Sequence, residues 1–216
     1  MRIQGLLQAA GSGTRLGQGP KAFVALAGRT LLERAVDRLL PAVDSIIVAV
    51  AAADLERARA LIRDERVAFV EGAATRSGTT RRLMAQATAP WLILHDVVHP
   101  FAAPELLRAL LQQAHVSGAA APGLVNAEFL YTRSGELLHP PGAVLIGQKP
   151  VAFRRDAACA GYETLPEDGL DSDPSFLDIL ALGGVKTAFV PGSAVNVKIT
   201  TPDDLRLAEA LLALTD

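Results

Sequence analysis

Residues 3–23 read IQGLLQAAGSGTRLGQGPKAF. A short apolar run, Ile3 to Ala9, passes directly into a turn holding Gly11, Gly13, Gly17 and Gly19, which ends on Pro20-Lys21. An apolar run of this length bounded by glycine reads as a buried strand. Gly11 and Gly13 permit backbone conformations and close approaches that a Cβ forbids, and a run of free backbone N–H groups there makes a concavity for an anion. Arg15 and Lys21 add two cations, the arginine able to bind bidentately and the lysine acting as a compact point charge. Neither common phosphate loop matches. The dinucleotide fingerprint needs glycine where Leu16 stands, and the P-loop needs Gly-Lys-Ser/Thr where the chain has Gly19-Pro20-Lys21-Ala22.

Outward from this loop, further apolar runs follow at Ser45 to Val50, Val67 to Val70, Trp91 to Leu94, Gly118 to Ala121 and Thr187 to Val190. Between them lie stretches of helical character: Leu31 to Leu40, Asp54 to Arg63, Thr79 to Ala87 and Pro104 to Ser117. In the first of these, Leu32, Ala35, Val36, Leu39 and Leu40 keep the spacing of one buried helix face. Strands alternating with helices predict an α/β, doubly wound, mostly parallel sheet, with ligands beyond the carboxyl ends of the strands. Residues 91–101, WLILHDVVHPF, fit that rule. A carboxylate at Asp96 is costly in a strand interior unless a charge meets it, so the strand is expected to end there, at the sheet edge.

The segment Val125 to Gly147 breaks the alternation. A hairpin turning at Ser134-Gly135, with Pro140-Pro141 confining the return to an edge, predicts a projecting β-arm (125–147) within a single domain, 1–216. Residues 163–175 are acidic and turn-rich and read as a surface loop. Near the C-terminus Thr201 reads as a helix N-cap and Pro202 as the first helical position.

The 216 residues are 50% hydrophobic and 20% charged with a formal net charge of -2, the balance of a soluble globular chain. No basic run exists to capture nucleic acid. The single cysteine, Cys159, excludes an intrachain disulfide and a cysteine-rich zinc site and suits a cytoplasmic setting. No apolar run reaches the ~20 residues that cross a bilayer, and the first residues lack the features of a signal peptide.

The loop AAGSGTRLGQGPKAF resembles the signature of the sugar-nucleotidyltransferase superfamily, A-A-G-x-G-x-R followed by P-K. It is most similar to that of the CTP-dependent cytidylyltransferases that activate 2-C-methyl-D-erythritol 4-phosphate in the non-mevalonate isoprenoid pathway. GRTLLERAVDRL resembles that family's first helix, and VEGAATRSGTTRRL its G-G-x-x-R-x-x-S-V segment. LILHDVVHPF resembles L-V-H-D-A-A-R-P-F, and NVKITTPDDLRLAEALL resembles N-I-K-V-T-x-P-E-D-L-x-L-A-E. The resemblance implies a Rossmann-like nucleotidyltransferase fold that joins a phosphate to the α-phosphorus of CTP and releases pyrophosphate with the help of Mg2+. It implies catalytic roles for Arg15, Lys21 and Lys198, and a nucleotide site of Ala9, Ala10, Gly11, Gly13, Gly72, Ala73, Thr79 and Asp96. Asp96 and Asn196 are the implied metal neighbours. It also implies a homodimer in which each arm completes its neighbour's acceptor site.

The departures cluster on the acceptor side. His99 stands where the family pattern has arginine, Val97 and Val98 replace its two alanines, D-T-x-K becomes Asn126-Ala127-Glu128-Phe129, and Q-T-P-Q becomes Gln148-Lys149-Pro150-Val151. T-D-D-A-S becomes Asp171-Ser172-Asp173-Pro174-Ser175, so His99, Asp171 and Ser172 are the acceptor-side candidates. Each lost charge-assisted hydrogen bond is worth roughly 1.5–3 kcal/mol, and Lys149, Arg154 and Arg155 are the cations available to compensate. A protonated His99 beside Asp96 is a weaker stand-in for arginine; a packing role is its alternative. His95 reads as structural, and His115 and His139 as surface residues. Three readings stay open: this cytidylyltransferase with substitute cations, one acting on another polyol phosphate or a phosphonate, and a nucleotide-binding relative with little catalysis.

Overall fold

The computed structural model describes residues 2–166, 169–170 and 172–214. Its framework is a mixed, mostly parallel sheet with helices on both faces. The first strand, β1 (Ile3–Gln8), is followed by a two-residue ladder of β2 (Ala25–Leu26) and β3 (Arg29–Thr30), then helix α1 (Leu31–Leu39). Thr30 caps α1 in a capping box: its hydroxyl accepts from the Glu33 amide while the Glu33 carboxylate accepts from the Thr30 amide. Next come β4 (Ser45–Val50), α2 (Leu55–Leu61), β5 (Val67–Glu71), α3 (Arg76–Gln86), β6 (Trp91–Asp96), α4 (Pro104–Ser117) and β7 (Ala119–Val125). Strands β4, β5 and β6, with β1 between β4 and β6, pair in parallel.

The remaining elements are β8 (Leu130–Tyr131), β9 (Leu137–His139), β10 (Leu145–Gly147), β11 (Val151–Arg154), α5 (Arg155–Thr164), α6 (Phe176–Leu182), β12 (Ala188–Pro191) and α7 (Pro202–Ala213). The sheet runs β10-β7-β11-β6-β1-β4-β5, with β12 also on β7. Strand β11 enters antiparallel between β6 and β7, a strand the sequence pattern did not single out. Of the arm, only the hairpin β8–β9 forms its own small sheet. Its return, β10, pairs antiparallel with β7 at the edge of the main sheet.

Period-two alternation divides the core. Leu7, Ile46, Val48, Val50 and Ile93 face one layer with residues of α1, α4 and α7, while Leu6, Ile47, Ala49, Leu92 and Leu94 face the other with residues of α3, α5 and α6. Each fully buried aliphatic side chain contributes roughly 1.5–3 kcal/mol, so both registers are strongly specified. The consequence for function is an aligned carboxyl edge: β1 ends at Gln8, directly paired with Asp96 at the end of β6. Among the described residues no helix is long and apolar enough to cross a membrane.

Candidate active site

The loop after β1 folds over the sheet edge by bonding to itself. The amides of Leu16 and Gly17 both donate to the Gly13 carbonyl, at 2.9 and 3.0 Å, and the Lys21 amide donates to the Gly11 carbonyl at 3.1 Å. Gly13 has φ +71, and a Cβ there would lie 2.0 Å from the Gly19 carbonyl oxygen, so only glycine closes the turn. The backbone N–H groups of Ala10, Gly11, Ser12, Gly13, Thr14 and Arg15 donate to no acceptor among the described residues, and all six residues line a cleft of about 300 Å³. Six free amides on one turn make an anion-binding concavity.

Across the cleft stands the turn after β5. The Thr79 hydroxyl fastens it, donating to the Thr75 carbonyl at 2.9 Å and accepting from the Ala73 amide at 2.9 Å. Ala73 and Thr79 line the cleft. Gly72 and Ala9 do not; they lie behind it. The Gly72 amide bonds the Val50 carbonyl and the Ala9 amide the Ala49 carbonyl, and a Cβ on Gly72 would come within 2.5 Å of the Ala10 Cβ. These two residues support the cleft rather than line it.

The third wall arrives from the far end of the chain. The Ile199 amide donates to the Val98 carbonyl at 2.9 Å, and Lys21 Nζ reaches the Ile199 carbonyl at 3.3 Å. This docks Lys198 into the cleft beside Arg15 and Lys21. Burial first, then Arg15 and Lys198, push the Lys21 pKa down, with Asp204 opposing. Three crowded cations make a field that a polyphosphate relieves.

Asp96 is the cleft's one carboxylate among the described lining residues. It is 8% exposed, and its Oδ1 is buried with no hydrogen-bond partner. Burial alone would raise its pKa, but Lys149 and the other neighbouring bases hold it below the ordinary carboxylate range. Both neighbouring histidines are neutral at pH 7. Burial outweighs the pull of Asp96 and takes His95 down to about 4 and His99 down to about 3. His95 sits fully inside with its Nε2 3.0 Å from the His99 carbonyl, a structural role. His99 is 5% exposed. Desolvation therefore keeps His99 uncharged here, and its ring packs inside.

Asn196 is buried, and its Oδ1 has no hydrogen-bond partner among the described residues. It does not line the cleft. Its Nδ2 donates to the Lys149 carbonyl at 2.7 Å, so it acts on the chain segment behind Asp96. Ser172 is exposed, bonds the Gly169 carbonyl and lines neither this cleft nor the one beside it, while Asp171 lies outside the described residues. The acidic segment is tied to α3 at one described residue. Its Asp173 accepts from the Ser77 amide at 2.7 Å at the start of α3 and lies 3.8 Å from the Arg76 guanidinium. His115 packs its ring on Trp91 at 4.2 Å.

Sequence reasoning gave no role to Gln8 or Arg76. Gln8 Nε2 donates to the Arg76 carbonyl at 3.0 Å and to the Thr80 hydroxyl, joining β1 to the start of α3. A glutamine closing the first strand was the available signal.

A divalent cation fits what is present. No group of three histidine, cysteine or acidic residues among the described residues could hold a metal. An unpartnered carboxylate oxygen on a residue that lines an anion-binding cleft suits Mg2+, which would take its other ligands from phosphate and water.

Comparison with known proteins agrees with this arrangement. The family described as "IspD: 2-C-methyl-D-erythritol 4-phosphate cytidylyltransferase" matches residues 3–214. The chain belongs to this family. A cytidylyltransferase of that description from Deinococcus radiodurans is 39% identical over 100% of this chain and 91% of its own length. One from Thermus thermophilus is 35% identical over 98% and 97%. A crystal structure of a Thermus thermophilus enzyme of the same description superposes with a TM-score of 0.83 at 29% identity, covering 99% of this chain and 100% of that one. The matched residues span the glycine loop, the Thr79 turn and the docked Lys198.

Proposed function

We propose that this chain transfers the cytidylyl group of CTP to 2-C-methyl-D-erythritol 4-phosphate, with release of pyrophosphate, as a step in isoprenoid precursor synthesis. The observation that carries the reading is the six free amides and four cations gathered opposite one buried carboxylate. In this reading an oxygen of the acceptor phosphate attacks the α-phosphorus. A new P–O bond forms, the bond from the α-phosphorus to the bridging oxygen breaks, and its electron pair departs on pyrophosphate. The attacking oxygen is already anionic, so no general base is needed; positioning and charge neutralisation supply the rate. The amides of residues 10–15 hold the phosphate chain, Lys21 and Arg15 take the charge that grows on the leaving pyrophosphate, and Lys198 faces the reacting centre from the C-terminal segment. Ala73 and Thr79 border the base. Asp96 is the residue that would hold Mg2+, which supplies countercharge shared among phosphate oxygens.

In the same reading the whole chain, 1–216, works as one nucleotidyltransferase domain in the cytoplasm, with 125–147 as its arm. The arm exposes Phe129, Tyr131, Leu137 and Leu138, each more than half exposed, a face that suits burial against a second copy. A homodimer follows, and a single monomeric species in sedimentation removes it. The activity itself is tested by pyrophosphate release from CTP with Mg2+ against methylerythritol phosphate, other polyol phosphates and small phosphonates. Turnover confined to methylerythritol phosphate supports the reading. Turnover with a different acceptor redirects the substrate, and no turnover alongside a CTP-dependent thermal shift leaves a binding protein.

A further inference from the structure

A second cleft, of about 220 Å³, opens beside the first, and Gln8 and Arg76 line both. Lys149 stands on its wall with its ammonium 5.7 Å from the centre of the Phe176 ring. Register decides that position. Strand β11 pairs antiparallel with β6 through Val151↔Leu94, so two residues further along Lys149 comes level with Asp96, on the opposite side of β6 from Gln8. The place is fixed from behind: Asn196 bonds the Lys149 carbonyl, and the neighbouring Gln148 carboxamide bonds the amide and carbonyl of Ser193.

Lys149 Nζ makes no hydrogen bond and no ion pair within 4.0 Å among the described residues. It carries three donors in a half-buried setting. Asp96, the acid that acts on it, has a buried oxygen with no hydrogen-bond partner. Around them Arg76 and Lys198 add positive charge. An ammonium on a cleft wall with no protein acceptor, among other cations, is placed to meet an anion that enters the cleft.

The other basic candidates are elsewhere. Arg154 pairs with Asp156 at 3.0 Å and Arg155 donates to the Ala87 carbonyl at 2.8 Å. Both line a separate hollow with Trp91, at the start of β6, whereas Asp96 ends it. Six residues of strand set those ends roughly 17 Å apart. His99, beside Asp96, is uncharged at pH 7.

We propose that Lys149 binds the phosphate of the second substrate at the junction of the two clefts, and thereby sets the preference for a phosphorylated acceptor. The proposal rests on the cytidylyltransferase reading above. Steady-state pyrophosphate release by the full chain, with CTP saturating and methylerythritol phosphate varied, compares wild type with Lys149→Met and Lys149→Arg. Lys149→Met keeps the stem and removes the charge. Its acceptor KM is expected to rise about ten- to a hundredfold, the loss of one charge-assisted hydrogen bond, while the CTP KM and melting temperature stay as in wild type. Lys149→Arg is expected to retain most of the acceptor affinity. An unchanged acceptor KM in Lys149→Met overturns the proposal, and so does a fall in CTP affinity and melting temperature together, the signature of a merely structural lysine. A wild-type chain that turns over no phosphorylated acceptor fails earlier and takes down the functional reading itself.

Discussion

In the reading proposed above, the two sides of the carboxyl edge bind phosphate by different means. On the nucleotide side the donors are main-chain amides on a turn that only glycine can close, with cations added from three separate segments. On the acceptor side the donor is the side chain of one lysine, brought level with Asp96 by strand register. A backbone site depends on local sterics, so its residues are tightly constrained. A side-chain site depends on which strand ends beside which, so its residues can be exchanged.

That contrast can be broken most sharply at Lys21. Lys21→Ala removes a cation that stabilises charge on the leaving group, and pyrophosphate release should fall about 100- to 1000-fold while the melting temperature holds. Activity near wild type would show that the loop does not serve the phosphates. Gly13→Ala comes next. Its Cβ would overlap the Gly19 carbonyl at 2.0 Å, the turn must open, and CTP affinity by calorimetry should fall about ten- to a hundredfold, at least one charge-assisted bond. Lys149→Met should instead move only the acceptor KM, which keeps the two sides separable.

Smaller effects follow from the buried histidines. Folded His95 and His99 titrate at about 4 and about 3, against 6.5 for a free imidazole. Between pH 6.5 and those values the unfolded chain therefore binds more protons, and acid favours unfolding. The stability owed to the neutral rings is complete above pH 6.5 and is lost on acidification, on the order of 1 kcal/mol per pH unit for each ring. Urea midpoints from pH 7 to pH 4 should show that slope, and His99→Gln should reduce it. A flat profile contradicts the burial argument. Least costly is Thr201→Ala, which breaks the capping box of α7 and should lower stability by about 1 kcal/mol with turnover nearly intact.

Much of the frame was legible. Helix α4 begins at Pro104 and ends at Ser117 as its sequence pattern predicts, and α7 starts behind Thr201 with Pro202 in its first turn. Caps, proline and glycine act within a few residues, so they can be read locally. Strand β11 and helices α5 and α6 were not. Val151–Arg154 is a four-residue run whose partners lie some 30 to 60 positions away, and α5 is built from small residues, Ala157, Ala158 and Gly161, with little apolar contrast to mark a face.

The site divides in the same way. Gly11, Gly13, Arg15 and Lys21 announce an anion cradle because the turn and its charges are contiguous. Asp96 at the end of a strand announces the edge. The sequence could not show that His99 is buried and uncharged at pH 7, that Asn196 bonds the Lys149 carbonyl, or that Lys149 rather than Arg154 or Arg155 comes level with Asp96. Charge state depends on desolvation and proximity depends on register, and both are properties of the packed sheet. The residues within one turn are set by the order of the chain, while those that meet across strands are set only once the strands have paired.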